Sequence, residues 1–192
     1  MRCARLSLCL ACALFAPAFA SAEESSSASS TSLAHWEPSQ VFVQYGSDGG
    51  TRSGTLGLRW GWNWRATLWG GAVTGLTELS IAQWHYDAKG GGSDSLQQFS
   101  ISPMFQWRPE AGTSRWFVEG GIGLTQTSHR YITPEREFST NFNFGTQLAV
   151  GVNLGERRQH ELSLRAAHFS NGGIREPNPG QNFVQVRYGY SL

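Results

Sequence analysis

The sequence carries little charge and almost no excess of either sign. Its 192 residues hold 15 Lys and Arg against 14 Asp and Glu, and charged residues are only 15% of the chain. That near-balance removes the basic surface on which nucleic-acid binding depends, so nucleic acid is excluded as a partner. Cysteine is confined to Cys3, Cys9 and Cys12. All three lie in a segment with a basic start (Arg2, Arg5), an apolar stretch from Leu6 to Phe19, and small-residue sites at Ala18-Phe19-Ala20 and Ala20-Ser21-Ala22. This reads as a secretory signal peptide over residues 1–22, cleaved after Ala20 or Ala22. Cys12 is no lipoprotein acceptor, because the apolar run continues past it. The mature chain is then free of cysteine, which excludes disulfides, a cysteine nucleophile and thiolate metal sites. Loss of Arg2 and Arg5 leaves 13 basic and 14 acidic residues, a formal charge of −1. Also missing beyond the signal is any apolar run long enough for a transmembrane helix. A membrane barrel produces no such run and is not excluded.

What is abundant is glycine (23 residues) and aromatic side chains (12%), a composition that suits many short strands. Residues 23–38 form a Ser-rich lead-in, and a single domain covers 39–192. Within it the period is two. From Asn141 to Leu154 the even positions Phe142, Phe144, Thr146, Leu148, Val150, Val152 and Leu154 oppose small or polar odd ones. Strands preserve such an alternation and helices scramble it. Leu56, Leu58, Trp60, Trp62 and Trp64 alternate with Gly57, Arg59, Gly61, Asn63 and Arg65; Phe99, Ile101, Phe105 and Trp107 alternate with Ser100, Ser102 and Gln106. Eight segments emerge, at about 39–46, 54–65, 73–87, 95–108, 115–128, 140–154, 160–170 and 181–190, the third being the least regular.

These segments predict an all-β fold: an eight-stranded antiparallel up-and-down transmembrane β-barrel. Several exceed the usual length of soluble strands and suffice to cross a bilayer at a tilt. The polar side, where Arg59, Glu119, Arg165 and Arg187 can pair, faces a narrow interior; the apolar side faces lipid, with tryptophans as interface anchors. A soluble barrel needs a richly charged outer face and an interior able to hold the aromatic load, and the sequence offers neither. With the N-terminus periplasmic, turns near 66–72, 109–114 and 155–159 lie on that side. Connections near 47–53, 88–94, 129–139 and 171–180 lie outside, although the first periplasmic turn is longer than such barrels favour.

Polar residues interrupt the lipid-facing side at one place. The outward series Leu162, Leu164, Ala166 continues to His168 and Ser170, about 6.6 Å apart on one strand face. The outward series of the eighth segment, Val184, Val186, Tyr188 and Tyr190, begins at Asn182, which a hairpin sets beside His168. Exposed polar groups at this depth are costly unless used or close to the interface. Serine beside histidine is the chemistry of acyl transfer: histidine takes the hydroxyl proton, serine attacks a carbonyl, and a third group orients the imidazole. Asn171 offers an amide, and Gly172 and Gly173 offer backbone N–H groups, to a developing oxyanion. Parity alone does not separate this site from polar decoration of the interface.

The stretch His168-Phe169-Ser170-Asn171-Gly172-Gly173-Ile174, followed by Pro177-Asn178-Pro179-Gly180, resembles the C-terminal signature of the PagL family of outer-membrane lipid A 3-O-deacylases. Looser similarity extends over Leu68-Trp69-Gly70-Gly71, Trp116 to Leu124 and Phe142 to Gly151. The resemblance implies an eight-stranded barrel that hydrolyses the ester-linked 3-hydroxyacyl chain at the 3-position of lipid A, with lipopolysaccharide as substrate and outer-membrane lipid as its surroundings. It further implies Ser170 as nucleophile, His168 as general base, and Asn171 (side chain) with Gly173 (backbone) as the oxyanion hole. The family's third member is a glutamate, and here that position is Asn182. An asparagine can orient the histidine but cannot stabilise an imidazolium by charge; Glu176 in the loop is the alternative carboxylate. No cofactor and no metal is implied, and a homodimer is compatible with the sequence.

Other candidates are weaker. His35 and His160 read as solvated. His85 and His129 lie near outer strand ends without the carboxylates of a metal site. Arg52, Lys89, Arg130, Arg136 and Arg175 fall in outer loops that can meet lipid A phosphates. The rival readings are a non-enzymatic structural or adhesion barrel, and a soluble ligand-binding barrel.

Overall fold

The structure, a computed structural model, describes residues 37–192; the signal segment with its cleavage positions Ala20 and Ala22, His35 and most of the lead-in lie outside the described residues. Eight strands run in chain order: β1 (Gln40–Asp48), β2 (Thr51–Leu68), β3 (Gly71–Asp87), β4 (Ser93–Arg108), β5 (Trp116–Thr127), β6 (Phe142–Leu154), β7 (His160–Ser170) and β8 (Gln181–Ser191). Each pairs antiparallel with its sequence neighbours, and β8 returns to β1 from Gln40↔Ser191 to Ser47↔Val184, closing the barrel. Closure leaves no unpaired edge, which a sheet in lipid requires. No helix among the described residues is long and apolar enough to span a membrane.

The alternation expected from the sequence places its apolar side outward. Val43, Leu56, Ile101, Leu148, Leu164 and Val186 are exposed, whereas Arg59, Glu119, Ser163, Arg165 and Arg187 are buried in the lumen. This inside-out arrangement belongs to a transmembrane barrel and disposes of the soluble alternative. Two details depart from expectation. The first turn at the far end, expected over 66–72, is only Trp69-Gly70, both at positive φ (48° and 72°); β2 and β3 simply run longer than their apolar pattern. Beyond Gly61 the β2–β3 register shifts, so Asn63 and Arg65, expected inward, are exposed. Arg65 instead donates to Ala111 O at 3.0 Å in the turn between β4 and β5.

The lumen is neutralised by pairing. Arg59 contacts Glu78 at 2.5 Å, Glu119 at 3.1 Å and Glu161 at 3.3 Å. Arg165 contacts Glu119 at 2.5 Å and Glu78 at 3.4 Å, and Arg187 lies 2.6 Å from Glu78. Three arginines therefore face three glutamates, as buried charges must. Glu78 escaped the sequence reading because β3 is irregular: its inward positions Leu76, Ala82, Trp84 and Tyr86 are apolar, and its outward ones include Gln83 and His85.

At the end carrying the connection 171–180 the lumen changes character. Trp84, Tyr86, Leu96, Phe169 and Phe183 form an apolar cluster there, completed by Tyr131 and Phe138 from the connection between β5 and β6. Part of the aromatic load thus does fit inside. The connection brings it: Tyr131 shares a hydrogen bond of 2.6 Å with Thr51 and donates one of 3.2 Å to Gln181, and burial pushes its hydroxyl pKa up. The plug holds the ends of β7 and β8 from within, directly behind His168 and Asn182.

Candidate active site

Two strand ends and one connection build the site. His168 and Asn182 are register partners of β7 and β8, and both side chains are on the outer wall because their even positions follow the lipid-facing series. Their side chains meet, with His168 Nδ1 2.8 Å from Asn182 Oδ1. An amide oxygen only accepts, so Nδ1 carries the proton and Nε2 presents a lone pair. That is the tautomer a general base needs. Thr146 of β6 completes the row on the other side of His168.

Ser170 ends β7, half-buried beside Phe144 of β6. It shares the His168 face, and no hydrogen bond joins the two side chains. Glu176 is not drawn to the histidine, since its carboxylate accepts from Asn178 N–H at 3.1 Å. Of the two side chains expected to support the imidazole, Asn182 is the one bonded to it.

The expected oxyanion donors have other engagements. Asn171 continues the odd, inward series of β7 and is buried. Its amide donates to Ser139 Oγ at 2.9 Å and Arg175 O at 2.7 Å, while its Oδ1 accepts from Gly173 N–H at 2.9 Å. Asn171 and Gly173 thus pin the connection against the barrel rim. Asn178, part of the Pro177–Gly180 signature but given no role from sequence, accepts from Asn171 N–H at 3.0 Å through Oδ1. Its own amide N–H groups have no acceptor among the described residues, and neither does the backbone N–H of Gly172.

Gly180 has a role that sequence did not reveal. A Cβ there would lie 2.5 Å from His168 Cε1 and 3.1 Å from Nε2, and its φ is +68°. Only glycine lets β8 begin this close under the imidazole. Gly180→Ala is expected to displace the ring and lower turnover about 100-fold, while detergent-gel heat-modifiability still reports a folded barrel. Unchanged turnover would mean that the ring does not need this seat.

The remaining candidates separate from the site. His160, expected to be solvated, pairs with Tyr188 at 2.7 Å and packs against Tyr190 in the aromatic girdle at the opposite end. His129 lies 3.4 Å from Asp94 and 3.2 Å from Tyr86. Among the described residues no group of three or more His, Cys, Asp or Glu side chains is placed to hold a metal. Lys89 and Arg130 face Glu137 at 3.1 and 3.9 Å, and Arg136 faces Asp48 at 3.3 Å. Arg52 and Arg175 have no carboxylate partner among the described residues.

The structure is thus a transmembrane barrel whose lipid-facing wall carries a histidine bonded to an asparagine, with a serine on the same face of β7. Comparison with known proteins makes this specific. The family model for lipid A 3-O-deacylase (PagL) matches residues 54–191, and the chain belongs to this family. It is 36% identical over 118 residues to the lipid A deacylase PagL of Bordetella bronchiseptica, covering 60% of this chain and 61% of that protein. The chain thus spans somewhat less than two thirds of that relative's length. Against the lipid A deacylase PagL of Pseudomonas aeruginosa it is 27% identical over 136 residues, covering 69% of this chain and 74% of the relative. The crystal structure of the outer membrane enzyme PagL superposes with a TM-score of 0.65 at 22% identity, over 80% of this chain and 99% of that one; at that identity the likeness concerns the fold.

Proposed function

We propose that this protein is a serine esterase that removes the ester-linked 3-hydroxyacyl chain from the 3-position of lipid A, working in the outer membrane of a Gram-negative bacterium after signal-peptide cleavage. The observation that carries the reading is the His168–Asn182 bond on the outer wall, which leaves Nε2 free on the face shared with Ser170. Ser170 Oγ attacks the ester carbonyl carbon as its proton passes to His168 Nε2. The tetrahedral intermediate collapses, and the sugar oxygen leaves with that proton. Water, activated by the same histidine, then releases the 3-hydroxy fatty acid from Ser170. Asn171 and Gly173 support the oxyanion hole by holding the connection; Gly172 N–H and the Asn178 amide are the donors left to face the oxyanion. Lipid A enters laterally, with its acyl chains already in the leaflet.

The test is mass spectrometry of lipid A from cells producing the protein, repeated with detergent-solubilised enzyme. Loss of one 3-hydroxyacyl mass is expected. Unchanged lipid A in both settings, with a folded barrel, would favour the structural or adhesion reading instead.

Asn182 provides a graded check. Asn182→Ala removes the acceptor that holds Nδ1–H and is expected to lower turnover about 100-fold. Asn182→Glu supplies the charge that steadies an imidazolium, and turnover is expected to rise about tenfold. Equal rates for all three proteins would show that His168 is not oriented from this position.

A further inference from the structure

At the barrel end away from the site, three guanidinium groups from separate elements close on the turn between β4 and β5. Arg65 donates to Ala111 O at 3.0 Å. Arg108 donates to Ser114 O at 2.9 Å and to Arg115 O at 3.2 Å. Arg158, from the turn between β6 and β7, donates to Ser114 O at 3.3 Å and also to Thr113 O. The turn is shaped to admit them: Gly112 has a φ of +95°, and a Cβ there would overlap Arg65 Nη2. Arg108 and Arg158 thus share one carbonyl. Glu110 and Glu156, the carboxylates of these two turns, are exposed and form no ion pair among the described residues. By contrast, the lumenal arginines face three glutamates. Like charges gathered in this way repel unless an anion joins them. Arg65 and Arg158 are exposed and use one and two of the five N–H groups that each guanidinium carries.

We propose that Arg65 and Arg158, backed by Arg108, bind the phosphate of an anionic phospholipid in the inner leaflet of the outer membrane. The position selects a lipid over a dissolved anion. Trp64 precedes Arg65, Trp116 follows the turn, and Trp69 stands in the neighbouring one; all three are exposed. Exposed tryptophan marks headgroup depth on a membrane wall. A phosphodiester at that depth meets the guanidinium forks directly, and its acyl chains lie against the apolar wall. The headgroup must carry net negative charge, because the cation of a zwitterionic one would add to the positive excess. This lipid site is separate from the ester chemistry and holds whether or not Ser170 is the nucleophile.

The experiment titrates the folded chain in non-ionic detergent with phosphatidylglycerol or phosphatidylcholine of matched acyl chains, and native mass spectrometry counts the bound lipid. Wild-type protein is expected to bind phosphatidylglycerol about tenfold more tightly than phosphatidylcholine. Arg65→Gln combined with Arg158→Gln is expected to weaken phosphatidylglycerol binding about tenfold, with phosphatidylcholine within about twofold. Arg157→Gln removes a charge from the same turn as Arg158 without touching these bonds, and both lipids should stay within about twofold. Equal affinity of the wild type for the two lipids overturns the proposal, whatever the variants do. So does unchanged phosphatidylglycerol binding in a double variant whose heat-modifiable migration shows it folded. A comparable fall in Arg157→Gln would reduce the effect to net charge and overturn it as well. Displacement of the lipid by an equal concentration of inorganic phosphate would assign the guanidiniums to a dissolved anion instead.

Discussion

Ser170→Ala is expected to reduce deacylation by on the order of 10⁴-fold or more. The substitution deletes the proposed nucleophile and leaves His168 and its acceptor Asn182 in place. What survives is attack by water on an ester still held beside His168, with whatever stabilisation the loop donors provide. The variant is informative because its fold is safe. Ser170 lies at a strand end on the outer wall and its hydroxyl makes no hydrogen bond among the described residues, so stability should change by no more than about 0.5 kcal/mol. His168→Ala should be about as damaging, and the double variant little worse than either, because a nucleophile without its base and a base without its nucleophile are equally idle. Lipid A mass spectra and a detergent assay read the outcome. Residual activity close to wild type in Ser170→Ala would place the chemistry elsewhere.

The largest effect on stability is expected at Glu78, far from the site. Its carboxylate accepts from Arg59 at 2.5 Å, from Arg187 at 2.6 and 3.0 Å, and from Arg165 at 3.4 Å. Glu78→Leu leaves three buried arginines facing two glutamates. Removal of one partner from such a network costs about 3–5 kcal/mol, most of it from the charge left unpaired. Urea unfolding in detergent or lipid should show that loss. The double variant Glu78→Leu with Arg187→Leu restores neutrality and should recover a substantial part of it, because an apolar pair of similar volume can replace a buried ion pair at little cost. A single variant as stable as wild type would mean that the network is decoration rather than support.

The two sites also differ in how openly the sequence displayed them. His168, Ser170 and Asn182 were legible because parity in a strand is a local property: even positions of β7 and β8 face lipid, and a polar residue there breaks an otherwise apolar series. Strand number, antiparallel order and the inside-out arrangement followed from the same period of two. Where that period failed, so did the reading. β3 puts leucine, tryptophan and tyrosine on the inward face beside Glu78, and its pattern hides the hub of the lumen. The register shift after Gly61 turns Asn63 and Arg65 outward although alternation sends them in.

Other features required the closed barrel. Asn171 carries the expected chemistry, yet its odd position turns its amide inward to Ser139 and Arg175. Gly180 looked like an ordinary loop glycine until the imidazole was found against it. Tyr131 and Phe138 belong to a connection without periodicity, and only closure of eight strands creates the mouth they fill. Outside β3 and the far end of β2, sequence by itself determined which residues face lipid, because side-chain direction along a regular strand is set residue by residue. Tertiary structure alone decided which donors remain free, which glutamate gathers the arginines and how near the chain comes to His168. Those contacts run from bonds 2 positions apart within the connection to one 109 positions apart across the lumen, and the alternation along a strand encodes none of them.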